Sequence, residues 1–129
     1  MQSLAAWLIE ADPTPEMVEV IVGSPSLKLA GRFDLIASIE GVRTLVDLKT
    51  GTNAHKYPES HLQLQGYALC FPECQIDPPQ RSMVLAVAED GTYETAECRA
   101  KPEDFMAVLE CHRAYQAVKA ALREKKVEA

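Results

Sequence analysis

The chain reads as one mixed α/β (α+β) domain over residues 1–129, a central mixed β-sheet with helices packed on it. Three observations predict this. The length, 129 residues with 47% hydrophobic and 25% charged, suits a single globular core and leaves no room for a second. Two turn signals, Glu40-Gly41 and Asp90-Gly91, each lie between runs rich in β-branched and apolar residues. Segments with helical start and stop signals alternate with those runs, giving the order α-β-β-β-α-β-β-α.

Residues 3–10 form a short helix ended by Pro13 and Pro15. Met17–Val22 is a strand closed by Gly23-Ser24-Pro25. Leu27–Ile39 and Val42–Lys49 pair as a hairpin about Glu40-Gly41, and Thr50–Asn53 is a loop. Pro58 opens a helix to about Leu69, stopped by Pro72. Ser82–Ala88 and Thr92–Cys98 form a second hairpin. A last helix starts at Pro102-Glu103-Asp104, carries apolar Phe105, Val108, Leu109, Tyr115, Val118 and Leu122, and closes on Arg123, Lys125 and Lys126. Its charges suit the helix dipole at both ends.

No apolar run approaches the ~20 residues of a membrane span, and the N-terminus lacks the features of a signal peptide. The expectation is a cytoplasmic protein with no membrane association. Its four cysteines (70, 74, 98 and 111) are then expected to be reduced thiols. A zinc site from His55, His61, Cys70 and Cys74 has poor ligand spacing, with Pro72 between the cysteines. The formal net charge of -6 argues against a histone-like nucleic-acid binder. The stretch from Lys28 to His61 is nevertheless +1, with five basic residues against four acids.

The first hairpin brings unusual charges together. With the turn between Glu40 and Gly41, paired residues have numbers summing to 81, so Asp34 faces Asp47 and Arg32 faces Lys49. Like charges opposed on one face destabilise a sheet, and a divalent cation held between hard carboxylate oxygens removes that objection. Asp47 and Lys49, two apart, share a face, while Leu48 points away. A bulge would slip this register. On the next helix, Gln63 and Tyr67 are four apart and share a face. Each piece also has a plainer reading, as solvated strand or helix surface.

Taken together, Gly31-Arg32-Phe33-Asp34, then Asp47-Leu48-Lys49-Thr50-Gly51, then Gln63-Leu64-Gln65-Gly66-Tyr67 resemble the PD-(D/E)xK nuclease superfamily, and within it the RecB-like exonuclease branch. The resemblance covers roughly residues 17–90 and implies an αβββαβ core, here with an extra strand and a C-terminal helix. It implies a divalent-metal-dependent DNA nuclease, an exonuclease of phage or bacterial recombination and repair, that leaves 5′-phosphate and 3′-hydroxyl ends. Asp34, Asp47 and the carbonyl of Leu48 would hold Mg²⁺ or Mn²⁺, and Lys49 would polarise the attacking water. Gln63 and Tyr67 would touch the phosphate backbone or steady Lys49, with Arg32 and Thr50 as further substrate contacts.

The sequence departs from that pattern upstream. The branch usually places a metal-associated His or Glu on a helix before the Gly-x-x-Asp strand, and no His precedes His55. Glu19, read as sharing a face with Met17 and Ile21, is the favoured substitute, with Glu10 the other candidate. So small a core leaves room for a homo-oligomer or for a recombination or helicase partner on DNA. The alternative function is a non-catalytic or partner-dependent nucleic-acid-binding module on the same fold. A third is a small α/β protein whose strand charges are surface only.

Overall fold

The computed structural model describes residues 2–128, with side chains to Glu124. The chain runs α1 (Gln2–Ala11), β1 (Thr14–Ser24), β2 (Leu29–Ile39), β3 (Val42–Thr50), a 3-10 turn at Ala54–Lys56, α2 (Pro58–Cys70), β4 (Arg81–Val87), β5 (Tyr93–Glu97) and α3 (Pro102–Glu128). One five-stranded sheet has the order β1-β2-β3-β4-β5. β3 and β4 are parallel, joined across one face by α2, and the other neighbours are antiparallel. The sheet is therefore mixed, as the alternating element order predicts.

Two apolar clusters sandwich the sheet. On the α2 side, Phe33, Ile36, Leu45 and Val84 of the strands meet Leu64, Tyr67, Cys70 and Phe71. Leu64, Tyr67 and Phe71 recur at helical spacing, which is why α2 turns this stripe inward. On the opposite side, Trp7 of α1 packs with Ile39, Val46, Leu85 and Val87.

Most element boundaries shift by one to three residues from expectation, and three of the shifts bear on packing. β1 starts at Thr14 and includes Pro15, since an edge strand tolerates a residue with no N–H to donate. β2 starts at Leu29 rather than Leu27, because Lys28 takes a left-handed φ of 56° in the preceding turn. α3 continues to Glu128, and the side chains of Lys125 and Lys126 lie outside those described. The larger correction concerns how α3 packs. Phe105 and Leu109 are half-buried, whereas Val108, Tyr115, Val118 and Leu122 are exposed. After Leu109 every described α3 side chain is exposed, although Arg113 still hydrogen-bonds to the Leu27 and Lys28 carbonyls, so most of the helix's apolar residues have no core to enter.

Gly66 sets the α2–α3 approach. A Cβ there would lie 2.8 Å from Cε2 of Phe105, closer than real contacts allow. A glycine inside a helix costs about 1 kcal/mol relative to alanine, so its presence reflects this close approach. Gly66→Ala is expected to destabilise the protein by about 1–3 kcal/mol through overpacking. Urea unfolding checks this, and an unchanged midpoint would show that Phe105 moves aside freely.

Candidate active site

The β2–β3 pairs run from Ile39↔Val42 to Leu35↔Val46, each summing to 81, so the register follows the turn as expected. The regular ladder stops one residue short of Asp34 and Asp47. There the Asp34 carboxylate replaces a backbone acceptor: its Oδ2 accepts the Leu48 N–H at 2.7 Å. Asp34 is thereby fixed beside Asp47, with one oxygen engaged and the other left for a ligand.

An irregularity in β1 lies opposite Asp34. Met17 and Val20, three apart, both pack on the α2 side, as do their partners Ile36 and Phe33. Strict strand alternation would put residues three apart on opposite faces. The break falls at Glu19, whose left-handed φ of 51° is bracketed by the pairs Val18↔Leu35 and Val20↔Phe33, opposite Asp34. Such irregularities re-aim side chains next to functional sites.

Asp47 is 2% exposed and has its Lys49 neighbour's ammonium 3.2 Å from Oδ2. That contact is an ion pair off the hydrogen-bonding direction, so the buried Oδ2 has no hydrogen-bond partner. Burial pushes the Asp47 carboxyl up to about 6; Lys49 pulls it back, and Asp34 adds to the rise. Lys49 Nζ also donates to Gln63 Oε1, and Gln63 Nε2 donates to the Tyr67 hydroxyl at 2.7 Å. Tyr67 therefore keeps its own O–H free to donate outward. Its hydroxyl is pushed up to about 12, by burial first and then by the charges of Asp47 and Asp34, so it stays protonated.

The structure thus brings Asp34, Asp47, Lys49, Gln63 and Tyr67 together on the α2 face. Arg32 is exposed and lines a cavity of about 390 Å³ with Gly31, Gln63, Gly66, Tyr67 and Phe105. Phe105 was not foreseen here; the signal for it was the helical Gly66 that admits its ring. Thr50 alternates with Lys49, so it belongs with Leu48 to the other face. It borders a larger concavity of about 690 Å³ that also contains Glu89 and Asp90, a poor charge match for a polyanion.

The upstream acids are placed differently from expectation. Glu19 does not share one face with both Met17 and Ile21: Met17 packs on the core, Ile21 is 78% exposed, and the left-handed Glu19 between them breaks the strand alternation. Glu19 itself is exposed, opposite Asp34 in register. Glu10 accepts a hydrogen bond from the Tyr93 hydroxyl on the α1 side, across the sheet from Asp47.

Among the described residues no group of three or more His, Cys, Asp or Glu side chains is gathered for a metal. His61 bonds the His55 carbonyl and the Arg99 N–H, so both its nitrogens are engaged in the backbone. All four cysteines are free thiols. The Asp34–Asp47 pair still fits a hard divalent cation: its donors are oxygens, and one buried carboxylate oxygen lacks a hydrogen-bond partner. Mg²⁺ ordinarily takes one or two carboxylates and keeps several waters.

A family model described as the PD-(D/E)XK nuclease superfamily matches residues 1–129. No curated protein matches. Among solved structures, an alkaline exonuclease (LHK-Exo) from Laribacter hongkongensis is similar with a TM-score of 0.53 and 17% identity, over 92% of this chain and 69% of that one. At that identity the likeness shows the fold alone. The crystal structure of SSO0001 is similar with a TM-score of 0.47 and 16% identity, and this chain spans about half of its length, 52%, over 83% of its own.

Proposed function

The chain belongs to the PD-(D/E)XK nuclease superfamily, and from that premise we propose that it hydrolyses DNA phosphodiester bonds as a divalent-metal-dependent exonuclease. The observation that carries the reading is the continuous set Asp34, Asp47, Lys49, Gln63 and Tyr67, linked through contacts on one face. The exonuclease assignment rests on the RecB-like motif order, and with it come 5′-phosphate products and a place in phage or bacterial recombination and repair.

Asp34 and Asp47 would hold Mg²⁺ or Mn²⁺, with the Leu48 carbonyl as a further ligand and Glu19, opposite Asp34, as the nearest upstream acid in register. Bound there, such an ion supplies positive charge to the scissile phosphate and makes water more acidic. The protein's own groups do the positioning. The Lys49 ammonium donates to Gln63 and sits 3.2 Å from Asp47 Oδ2 as an ion pair, which holds it in place with protons left for the attacking water or a phosphate oxygen. Gln63, bonded at both ends of its amide, holds Lys49 and Tyr67 at a set separation. Tyr67 donates its free O–H to a phosphate oxygen, and Arg32 adds charge for the DNA strand. Superfamily members generally use divalent metals. With a net charge of -6, weak and salt-sensitive DNA affinity is expected for the chain alone.

The test is cleavage of end-labelled linear DNA with Mg²⁺ or Mn²⁺. Wild type should cut only with metal, and Lys49→Ala should lower the rate by about 100–1,000-fold, the cost of removing one preorganised electrostatic group. The labelled end reports polarity. A folded wild type that binds Mn²⁺ yet never cuts would favour the partner-dependent binding module instead.

A further inference from the structure

The exposed apolar residues of α3 are not scattered. Val108, Cys111, Tyr115, Val118 and Leu122 are spaced 3, 4, 3 and 4, the 3.5-residue average of a two-helix seam. Val108, Tyr115, Val118 and Leu122 are 52–65% exposed, and Cys111 is exposed between them. Alanines at 107, 114 and 121 flank the stripe at seven-residue intervals, small enough to let a second helix approach closely. The body side of α3 is different. Phe105, Leu109 and Arg113 form a row four apart, with Arg113 donating to the Leu27 and Lys28 carbonyls. At 3.6 residues per turn, the stripe lies on roughly the opposite side of the helix.

We propose that α3 is a self-association helix, with a second copy of this chain packed antiparallel along that stripe. Charge selects both the occupant and its direction. Residues 102–112 carry Glu103, Asp104 and Glu110 and no Lys or Arg, whereas on 114–124 Lys119 and Arg123 outweigh Glu124, with Arg113 turned to the body. A parallel copy sets like halves side by side; an antiparallel copy sets acidic against basic and opposes the two helix dipoles favourably. A two-fold axis at Tyr115 places Val108 against the partner's Leu122 and Tyr115 against the partner's Tyr115, with Cys111 one position from register with the partner's Val118. The interface is then self-complementary, as a two-fold dimer requires.

Sedimentation equilibrium of the full chain over a concentration series is the test. Wild type should be a dimer, and Tyr115→Glu, which places two carboxylates at the axis, should weaken it by at least about 100-fold. Circular dichroism should show that variant still folded, since the side chain is solvent-facing in the monomer. In a Cys111→Ser background, Tyr115→Cys should form a disulfide dimer on mild oxidation. Val108→Cys should do so only when mixed with Leu122→Cys. A wild type monomeric at every concentration, a Tyr115→Glu dimer of unchanged strength, or Val108→Cys pairing with itself as readily as Tyr115→Cys would each overturn the proposal. None of these readouts depends on nuclease activity, so the proposed function stands or fails separately.

Discussion

Asp47→Asn is expected to lower DNA cleavage by about 1,000-fold or more while raising the stability of the metal-free protein above pH 6. The loss of cleavage follows from removing one of two carboxylates that would hold the cation. The gain follows from burial. Asp47 is 2% exposed, and burial is the main reason its carboxyl rises from 3.8 to about 6. Because the folded value exceeds the unfolded one, the native state binds the extra proton between those values. This group therefore destabilises the fold as pH rises from about 4 through 6. At about 1.4 kcal/mol per pH unit the full effect is at most about 3 kcal/mol. Asparagine cannot ionise, yet it forfeits the attraction of Lys49, so a gain of about 1–2 kcal/mol at pH 8 is expected. Urea unfolding in chelator at pH 5 and pH 8 checks it: the wild type should lose more stability between the two than the variant does. Equal pH slopes would sink the argument. Mn²⁺ added at pH 8 should raise the wild-type midpoint and leave that of Asp47→Asn nearly unchanged, a readout independent of cleavage.

A buried carboxylate with an unpartnered oxygen beside a second carboxylate suits a metal ligand, and sequence alone goes only part of the way to it. The hairpin arithmetic from Glu40-Gly41 fixes the pairs from Ile39↔Val42 to Leu35↔Val46, because a two-residue turn sets register. The ladder ends before the expected Asp34–Asp47 and Arg32–Lys49 pairs, where the Asp34 carboxylate takes the Leu48 N–H. Strand periodicity put Asp47 and Lys49 on one face, and helix periodicity stacked Gln63 with Tyr67, because both repeats are set by backbone geometry. What could not be read was the break at Glu19. A left-handed glutamate has no local signature, and its neighbours Val18 and Val20 favour ordinary strand. That break lies opposite Asp34 in the β1–β2 register. Likewise, the apolar spacing of α3 predicts a buried face without saying what covers it, and the packing surface of one domain ends after Leu109.

Phe33→Ala is the substitution expected to damage fold and site together. Phe33 is fully buried in β2, edge-on to Tyr67 at 6.5 Å between ring centroids and to Phe71 at 5.6 Å. Truncation removes a large apolar side chain and two aromatic contacts and leaves a cavity under α2, an expected loss of about 3–5 kcal/mol. For a chain of this length that is a large part of the total stability. The functional effect follows from where the ring sits. Phe33 immediately precedes Asp34, and its ring supports Tyr67, whose hydroxyl anchors Gln63 and through it Lys49. Asp34 and Tyr67 would both lose their backing. Phe33→Leu fills most of the volume and should recover much of the stability. Its remaining cleavage defect would then report positioning rather than unfolding, because leucine restores no edge contact to Tyr67. Urea midpoints of both variants, with cleavage measured where each is fully folded, separate the two effects. If Phe33→Leu is folded and cuts DNA at the wild-type rate, the aromatic contact does not position the site, and the β2 backbone alone holds Asp34 in place.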